Sequence, residues 1–265
     1  MLTIIQAAIL SIIQGIAEWL PISSSGHLAI LQYFFNFENL SFDVFLHFAS
    51  ILAVIFVFRK DILELLNLTE KKNIRYILLV IIAAIPAAIA GYFLRSFISS
   101  IFSRILFVGI FFMINGILIF STKFIKERKD LPKNKNKKKV KEKQVSLYNS
   151  LVIGFTQIFA LLPGISRSGS TISAGLFSGL KKEEAIKFSF LLAIPIVLGA
   201  TIFEARNISL INIKIDLLTI SFIITFFASL LSIFLVKKII RTNKFFLFGI
   251  YTFLLGLAVL IFSLI

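Results

Sequence analysis

Three ionisable side chains stand where membrane-type sequence would carry leucine: Glu18 and His27 in the run QGIAEWLPISSSGH, and Arg167 in QIFALLPGISRSGS. The two runs are copies of one pattern 143 residues apart, because Gln14, Ala17, Ile22, Ser23, Ser25 and Gly26 recur as Gln157, Ala160, Ile165, Ser166, Ser168 and Gly169. A planar guanidinium fork matches phosphate oxygens. A carboxylate can hold a hard divalent cation or take a proton, and an imidazole can carry a proton or attack phosphorus. Serine hydroxyls, and glycines that let the backbone come close, complete an anion-binding set. The ligand expected is an anion, held where the two copies meet.

Each copy also interrupts a helix. Pro21 ends a first helix, Ser23 caps the next, and Leu28 to Phe35 carries a second half-helix. In the other copy Pro163 and Gly164 end one helix and Ser166 caps its successor. Two half-helix N-termini then point inward with unpaired N–H groups and positive dipole ends. Ser11, Gln14 and Glu18 share one face of the first helix by their spacing. Arg167 within an apolar stretch costs on the order of 3 kcal/mol unless it has a partner or a watery cavity. Blander roles stand beside these. Arg167 could pair with a helix C-terminus or reach the surface, Glu18 and Arg167 could form an ion pair that only holds the fold, and the serines could simply let helices approach. That last reading also covers Gly15, Ser173, Gly175 and Gly179. His47, in FDVFLHFASILAV at the start of a span, reads as structural, and Trp19 as an interfacial or pocket-lining aromatic.

The rest of the chain is membrane sequence. Hydrophobic residues make up 58% of the chain, which includes 31 Phe, and several unbroken apolar runs reach the roughly 20 residues that a helical span needs. A β-barrel would instead alternate in segments of about 10 residues. The expected fold class is an all-α polytopic membrane protein. A net charge of +15 would suggest nucleic acid in a soluble chain, but residues 123–144 hold 11 Lys and Arg against three acids. That run marks a cytoplasmic loop that also favours anionic lipid headgroups, so membrane lipids rather than nucleic acid are the expected partners. The chain has no cysteine, which removes disulfides, thiol chemistry and cysteine-ligated metals. Residues 1–20 lack a basic start and a small-residue cleavage site, and read as a structural helix rather than a signal peptide.

Keeping the basic clusters at 59–75, 181–187 and 237–244 on the side of that loop predicts six full transmembrane helices, at about 42–58, 76–94, 105–122, 188–203, 217–236 and 245–265. The weakly charged connections near 36–41, 95–104 and 204–216 then fall outside. Segment 1–41 starts and ends outside, while 147–179 starts and ends in the cytoplasm, so each is expected as a re-entrant helix pair. The 143-residue offset carries the first three spans onto the last three. The chain reads as one membrane domain of two halves, 1–122 and 147–265, joined by a basic cytoplasmic loop at 123–146. The halves have opposite orientation, an inverted-topology repeat whose broken helices meet near the midplane.

QGIAEWLPISSSGH resembles the glutamate-rich first motif of the undecaprenyl-diphosphatase family, the bacitracin-resistance type, and LLPGISRSGSTISAGL resembles its second, PGxSRSxxT motif. The resemblance runs the whole length. It implies a multi-pass phosphatase of the cell membrane that removes the terminal phosphate of undecaprenyl diphosphate, a polyprenyl diphosphate lipid, so that the monophosphate carrier is reused in cell-wall polymer synthesis. It places the acidic motif on Gln14 and Glu18, the serine stretch on Ser23, Ser24 and Ser25 before Gly26, and the histidine on His27. The phosphate-binding arginine falls on Arg167, with Ser166, Ser168, Gly169 and Thr171 around it. It also implies a divalent cation, Mg²⁺ or Ca²⁺. The family pattern allows Gln or Glu at Gln14, but Gln14 supplies no second carboxylate, so a metal site would rest on Glu18, hydroxyls and substrate oxygens. Spacing leaves open whether Ser24 or His27 attacks, or activates water. The diphosphate is expected to arrive from the outer side with its tail between spans. A transporter or flippase for a lipid phosphate or another organic anion is the alternative; a nucleophile and an acid–base pair beside the anion donors favour hydrolysis.

Overall fold

A computed structural model describes residues 2–37, 39–102, 104–125, 144–205 and 213–264. Most of the basic loop expected over 123–146 lies outside the described residues. The described chain runs through α1 Ile4–Trp19, α2 Ser24–Phe35, α3 Leu40–Val57, α4 Arg59–Leu65, α5 Lys71–Phe93, α6 Arg95–Phe102, α7 Ile105–Ser121, α8 Leu147–Phe159, α9 Arg167–Phe177, α10 Lys182–Ala205, α11 Ile215–Arg241 and α12 Leu247–Leu264, with one 3₁₀ turn at Thr122–Phe124.

Six of these, α3, α5, α7, α10, α11 and α12, are long and apolar enough to cross a membrane. Their outer faces are exposed hydrocarbon: Ile81, Ile85 and Ile89 follow one another up α5, and Phe227, Leu231 and Phe234 up α11. Such stripes, at the three- and four-residue spacing of one helix face, are what lipid tails solvate. The chain is an integral membrane protein. Several helices begin or end in charged residues that hydropathy had assigned to loops, as at Lys71, at Lys182 to Glu184 and at Lys238 to Arg241. Backbone hydrogen bonding continues past the apolar boundary, so the spans are longer than their hydrophobic cores. The short helices α4 and α6 occupy the connections after α3 and α5.

The helices pack through small residues. α7 lies along α12, where a Cβ on Gly256 would sit 2.6 Å from the Gly109 carbonyl oxygen, and one on Gly116 2.7 Å from that of Gly249. α1 lies along α11, with Gly15 so close that a Cβ would meet Ala228 Cβ at 2.6 Å. Thr225 and Ser232 on α11 donate to the α1 carbonyls of Ser11 (3.2 Å) and Ile16 (2.7 Å). α8 lies along α5, where a Cβ on Gly154 would come 2.7 Å from the Ala83 carbonyl oxygen. Without a hydrophobic drive between helices in lipid, close backbone approach and buried hydroxyls supply the association. Between these pairs sits a core of Trp19, Ile51, Ile153, Phe188 and Phe190.

The short helices before the two breaks begin alike. Thr3 and Gln6 form a capping box at α1, and Ser146 and Asn149 form one at α8.

Candidate active site

Both breaks fall where the sequence places them. α1 stops at Trp19, Leu20 turns extended, and α2 starts at Ser24. Ser23 between them has φ 65°, a left-handed conformation that costs a non-glycine residue energy. Its hydroxyl offsets that cost by accepting two backbone N–H groups, from Gly26 at 3.3 Å and from Gly164 at 3.2 Å. Gly164, in the second break, has φ 103°, which suits glycine. Ser166 then caps α9 by accepting from the Gly169 N–H at 3.0 Å.

The two breaks are stitched together. Ser168 donates to the Leu20 carbonyl at 3.0 Å, and the Ser166 hydroxyl stands 3.1 Å from that of Ser168. Asn115 of α7, fully buried, bridges both: its carbonyl accepts the Ser166 N–H at 3.0 Å and its amide donates to the Pro21 carbonyl at 3.4 Å. Glycine makes the approach possible, since a Cβ on Gly26 would come 2.9 Å from Gly164 Cα and one on Gly169 3.2 Å from Pro21 Cβ.

Glu18 is the hub, only 7% exposed. Arg167 Nη2 donates to its Oε1 at 2.6 Å, and the guanidinium lies over the Trp19 ring at 4.9 Å. At the other oxygen, Ser24 donates at 2.6 Å and Gln14 Nε2 at 3.1 Å, while His47 Nε2 stands 3.3 Å away. His47 Nδ1 is 2.8 Å from the Asp43 carbonyl oxygen. Three buried polar atoms here, Arg167 Nη1, Gln14 Oε1 and Trp19 Nε1, have no hydrogen-bond partner among the described residues. Buried groups of this kind are normally satisfied, so a cluster of them marks space for a ligand or water. One carboxylate faces a guanidinium and the N-termini of α2 and α9, which leaves the site short of negative charge. An anion fits it.

Of the expected residues, the structure gathers Gln14, Glu18, Ser24 and Arg167 at one point. The hydroxyls of Ser23, Ser166 and Ser168 are engaged in forming and joining the breaks, and Ser25 lies 3.3 Å from Ser23. Thr171 donates to the Arg167 carbonyl at 2.8 Å and meets Ser189 at 2.6 Å. His27 makes its contacts elsewhere: Nδ1 is 2.7 Å from the Ser23 carbonyl oxygen, Nε2 is 2.8 Å from the Tyr251 hydroxyl, and the ring meets the Phe112 edge. Ser24 and His27 stand three residues apart on α2, yet the His27 ring is held by the Ser23 carbonyl and the Tyr251 hydroxyl rather than at Glu18. Two further residues belong here. His47, expected to be structural, contacts the hub, and Asn115 joins the breaks. Trp19 does line the site.

No group of three or more His, Cys, Asp and Glu able to hold a metal occurs among the described residues. The Glu18 carboxylate, the unpartnered Gln14 oxygen and the Ser24 hydroxyl nevertheless form an oxygen-rich corner that fits one cation whose remaining ligands come from substrate or water.

A family model described as bacitracin resistance protein BacA matches residues 7–258. The chain is similar to an undecaprenyl-diphosphatase of Methanococcus maripaludis, 40% identical over 258 residues that cover 96% of this chain and 98% of the relative. An undecaprenyl-diphosphatase of Thermosipho africanus is 37% identical over 94% of this chain and 96% of its own length. Undecaprenyl-diphosphatase 1 of Shouchella clausii is 33% identical, over 99% and 97%.

Proposed function

The chain belongs to the bacitracin resistance protein BacA family, and from that membership and the joined breaks we propose that it is an undecaprenyl-diphosphate phosphatase. It converts the lipid diphosphate to the monophosphate, returning the carrier to cell-wall polymer synthesis and conferring bacitracin resistance. The observation that carries this is a carboxylate from one break and a guanidinium from the other meeting at 2.6 Å, with Arg167 Nη1 unpartnered among the described residues and Ser24 hydrogen-bonded to the same carboxylate.

Arg167 and the N–H groups at the starts of α2 and α9 hold the terminal phosphate. Ser24 is the hydroxyl already within 2.6 Å of a carboxylate, which makes it the favoured nucleophile. Its oxygen attacks the terminal phosphorus as Glu18 takes its proton, the bond to the bridging oxygen breaks, and the lipid monophosphate leaves. Water then hydrolyses the phosphoserine. Held by Glu18 and Gln14, a divalent cation such as Mg²⁺ or Ca²⁺ would neutralise charge on the phosphates. Ser23, Ser166, Ser168, Gly26 and Gly169 set the two helix N-termini in place, and Ser25 and Thr171 flank them. His27 stands with Tyr251 at the rim.

The same reading gives the chain an inverted-topology repeat of halves 1–122 and 147–265, each opened by a re-entrant pair, α1–α2 and α8–α9. Two features support it. The capping boxes at Thr3 and Ser146 stand 143 residues apart, the offset of the site phrases. Packing is also exchanged between halves, because α1 lies along α11 while α8 lies along α5, the span matched to α11 by that offset. With the basic loop in the cytoplasm, the site faces the outer side of the cell membrane. Phosphate release from undecaprenyl diphosphate by purified protein in detergent, where no two compartments exist, tests the activity. Cation-dependent release is expected, and no release by folded protein under any divalent cation would favour carriage of the lipid over its hydrolysis.

A further inference from the structure

Most neighbouring helices here are locked together by backbone approach at a glycine: α1 and α11 at Gly15, α7 and α12 at Gly109 and Gly116, α5 and α8 at Gly154. Helices joined that way cannot part without losing close-packed contact. The first turn of α2 is held to α7 as tightly, since a Cβ on Gly26 would come 2.6 Å from the Phe112 ring. Between α2 and α12 the joint is of another kind. His27 Nε2 stands 2.8 Å from the Tyr251 hydroxyl, and the rings of Tyr33 and Phe34 meet that of Phe262 at 6.2 and 5.5 Å between centroids. These are contacts of side-chain ends, and among the described residues no glycine of either helix brings the two backbones together. Tyr33, Phe34, Tyr251 and Phe262 are all exposed, and on the helices of a membrane protein such side chains face lipid. The joint also begins at the site. Ser24, hydrogen-bonded to Glu18, and His27 are three residues apart on α2, so a group passing His27 is about one helical turn, roughly 5 Å, from the carboxylate.

We propose that the joint between α2 and α12 is the lateral entrance for the lipid diphosphate. The headgroup passes through it to reach Arg167, and the first isoprenyl units stay in it against Tyr33, Phe34 and Phe262. The His27–Tyr251 hydrogen bond bars its inner end. An anion pays heavily for crossing hydrocarbon unpaired, and that bond is the polar step in an otherwise aromatic passage. Parting it exchanges one hydrogen bond for others with the diphosphate, while the rings exchange contact with each other for contact with the prenyl chain. The entrance deepens the phosphatase reading and rests on it for the identity of the lipid.

The chain has no cysteine, so an introduced pair reacts without background. Phe34→Cys with Phe262→Cys spans the joint, and Tyr92→Cys with Phe203→Cys, where the rings lie 5.9 Å apart, spans α5 and α10 as a control. Each full-length protein in detergent is joined by a short bis-thiosulfonate linker that a reductant removes, with linkage checked by mass spectrometry. Linking across the joint is expected to cut phosphate release from undecaprenyl diphosphate by about tenfold or more, with recovery on reduction, while linking α5 to α10 leaves it unchanged. Undiminished release by protein linked across α2 and α12 would overturn the entrance. A second measurement uses the wild type and an undecaprenyl diphosphate analogue with a diazirine in its first isoprenyl unit. Photolabels that unlabelled lipid competes away are expected within 27–34 and 251–262; competed labels confined to other helices would overturn the proposal. Labelling does not need hydrolysis, so it separates the two readings. Competed labels at the joint without release under any divalent cation would remove the phosphatase reading and keep the entrance, whereas release with labels elsewhere would remove the entrance alone.

Discussion

The two helix breaks are built from one phrase and present different side chains to the same carboxylate. In each, a serine caps the new helix by accepting the N–H three residues on: Ser23 from Gly26, and Ser166 from Gly169. At the next position the copies diverge, with Ser24 in one and Arg167 in the other, both directed at Glu18. The position that holds Glu18 in the first copy holds Leu161 in the second. Ser25 and Ser168 also part ways, since Ser168 reaches across to the Leu20 carbonyl whereas Ser25 stays beside Ser23. The repeated phrase supplies two matching frames, and in the proposed mechanism a few side-chain differences give one frame the nucleophile and base and the other the phosphate clamp.

The sharpest way to break this contrast is to exchange hydroxyl for methyl on each side. Ser24→Ala is expected to lower phosphate release by about 10³-fold or more, as removal of a nucleophile does. Ser168→Ala should lower it only a few-fold and cost about 1 kcal/mol of stability for the lost bond to Leu20. Release assays paired with thermal melts in detergent check both; equal activity losses would erase the distinction. Arg167→Ala comes next, with a loss of about 10³-fold by analogy with other arginines that stabilise phosphoryl transfer. Arg167→Lys should recover only part of it, because the charge returns without the fork. Full activity in folded Arg167→Ala would remove the clamp.

The join between the frames is tested by Asn115→Leu. It strands the Ser166 N–H and the Pro21 carbonyl, and should cost about 1–3 kcal/mol of stability with a loss of roughly tenfold in kcat/KM as the two breaks lose their register. Unchanged kcat/KM would mean that the breaks hold register without it. Smallest are the caps. Ser166→Ala should cost about 1 kcal/mol, and Ser23→Ala more, because Ser23 also accepts from Gly164 across the break. Melting temperatures that rank them the other way would contradict that cross-break bond.

Much of this was legible in residue types. Hydropathy gave six spans, and the repeated phrase located both breaks and implied that Glu18 and Arg167 meet, since a membrane-embedded arginine needs a partner. His47 is masked by its apolar neighbours, although an ionisable group within a span marks function there as it does at Arg167. Asn115 is a polar amide in mid-span and could have been found by the same signal. His27 shares a helix face with Ser24 by its spacing, and the Ser23 carbonyl and Tyr251 hydroxyl that hold its ring are partners that residue types do not reveal. The division of labour among the serines depends on the Leu20 and Pro21 carbonyls of the facing break, which no residue type reveals.

The central claim is that a carboxylate and a guanidinium from separate breaks form a single catalytic unit, and a double-mutant cycle tests it most directly. kcat/KM for phosphate release from undecaprenyl diphosphate is measured for Glu18→Gln, Arg167→Lys and the double variant. Residues that act as a unit are strongly non-additive, so the double variant should be little worse than the worse single one. A double variant whose loss equals the product of the two single losses would show that Glu18 and Arg167 act independently, and would contradict the joined site.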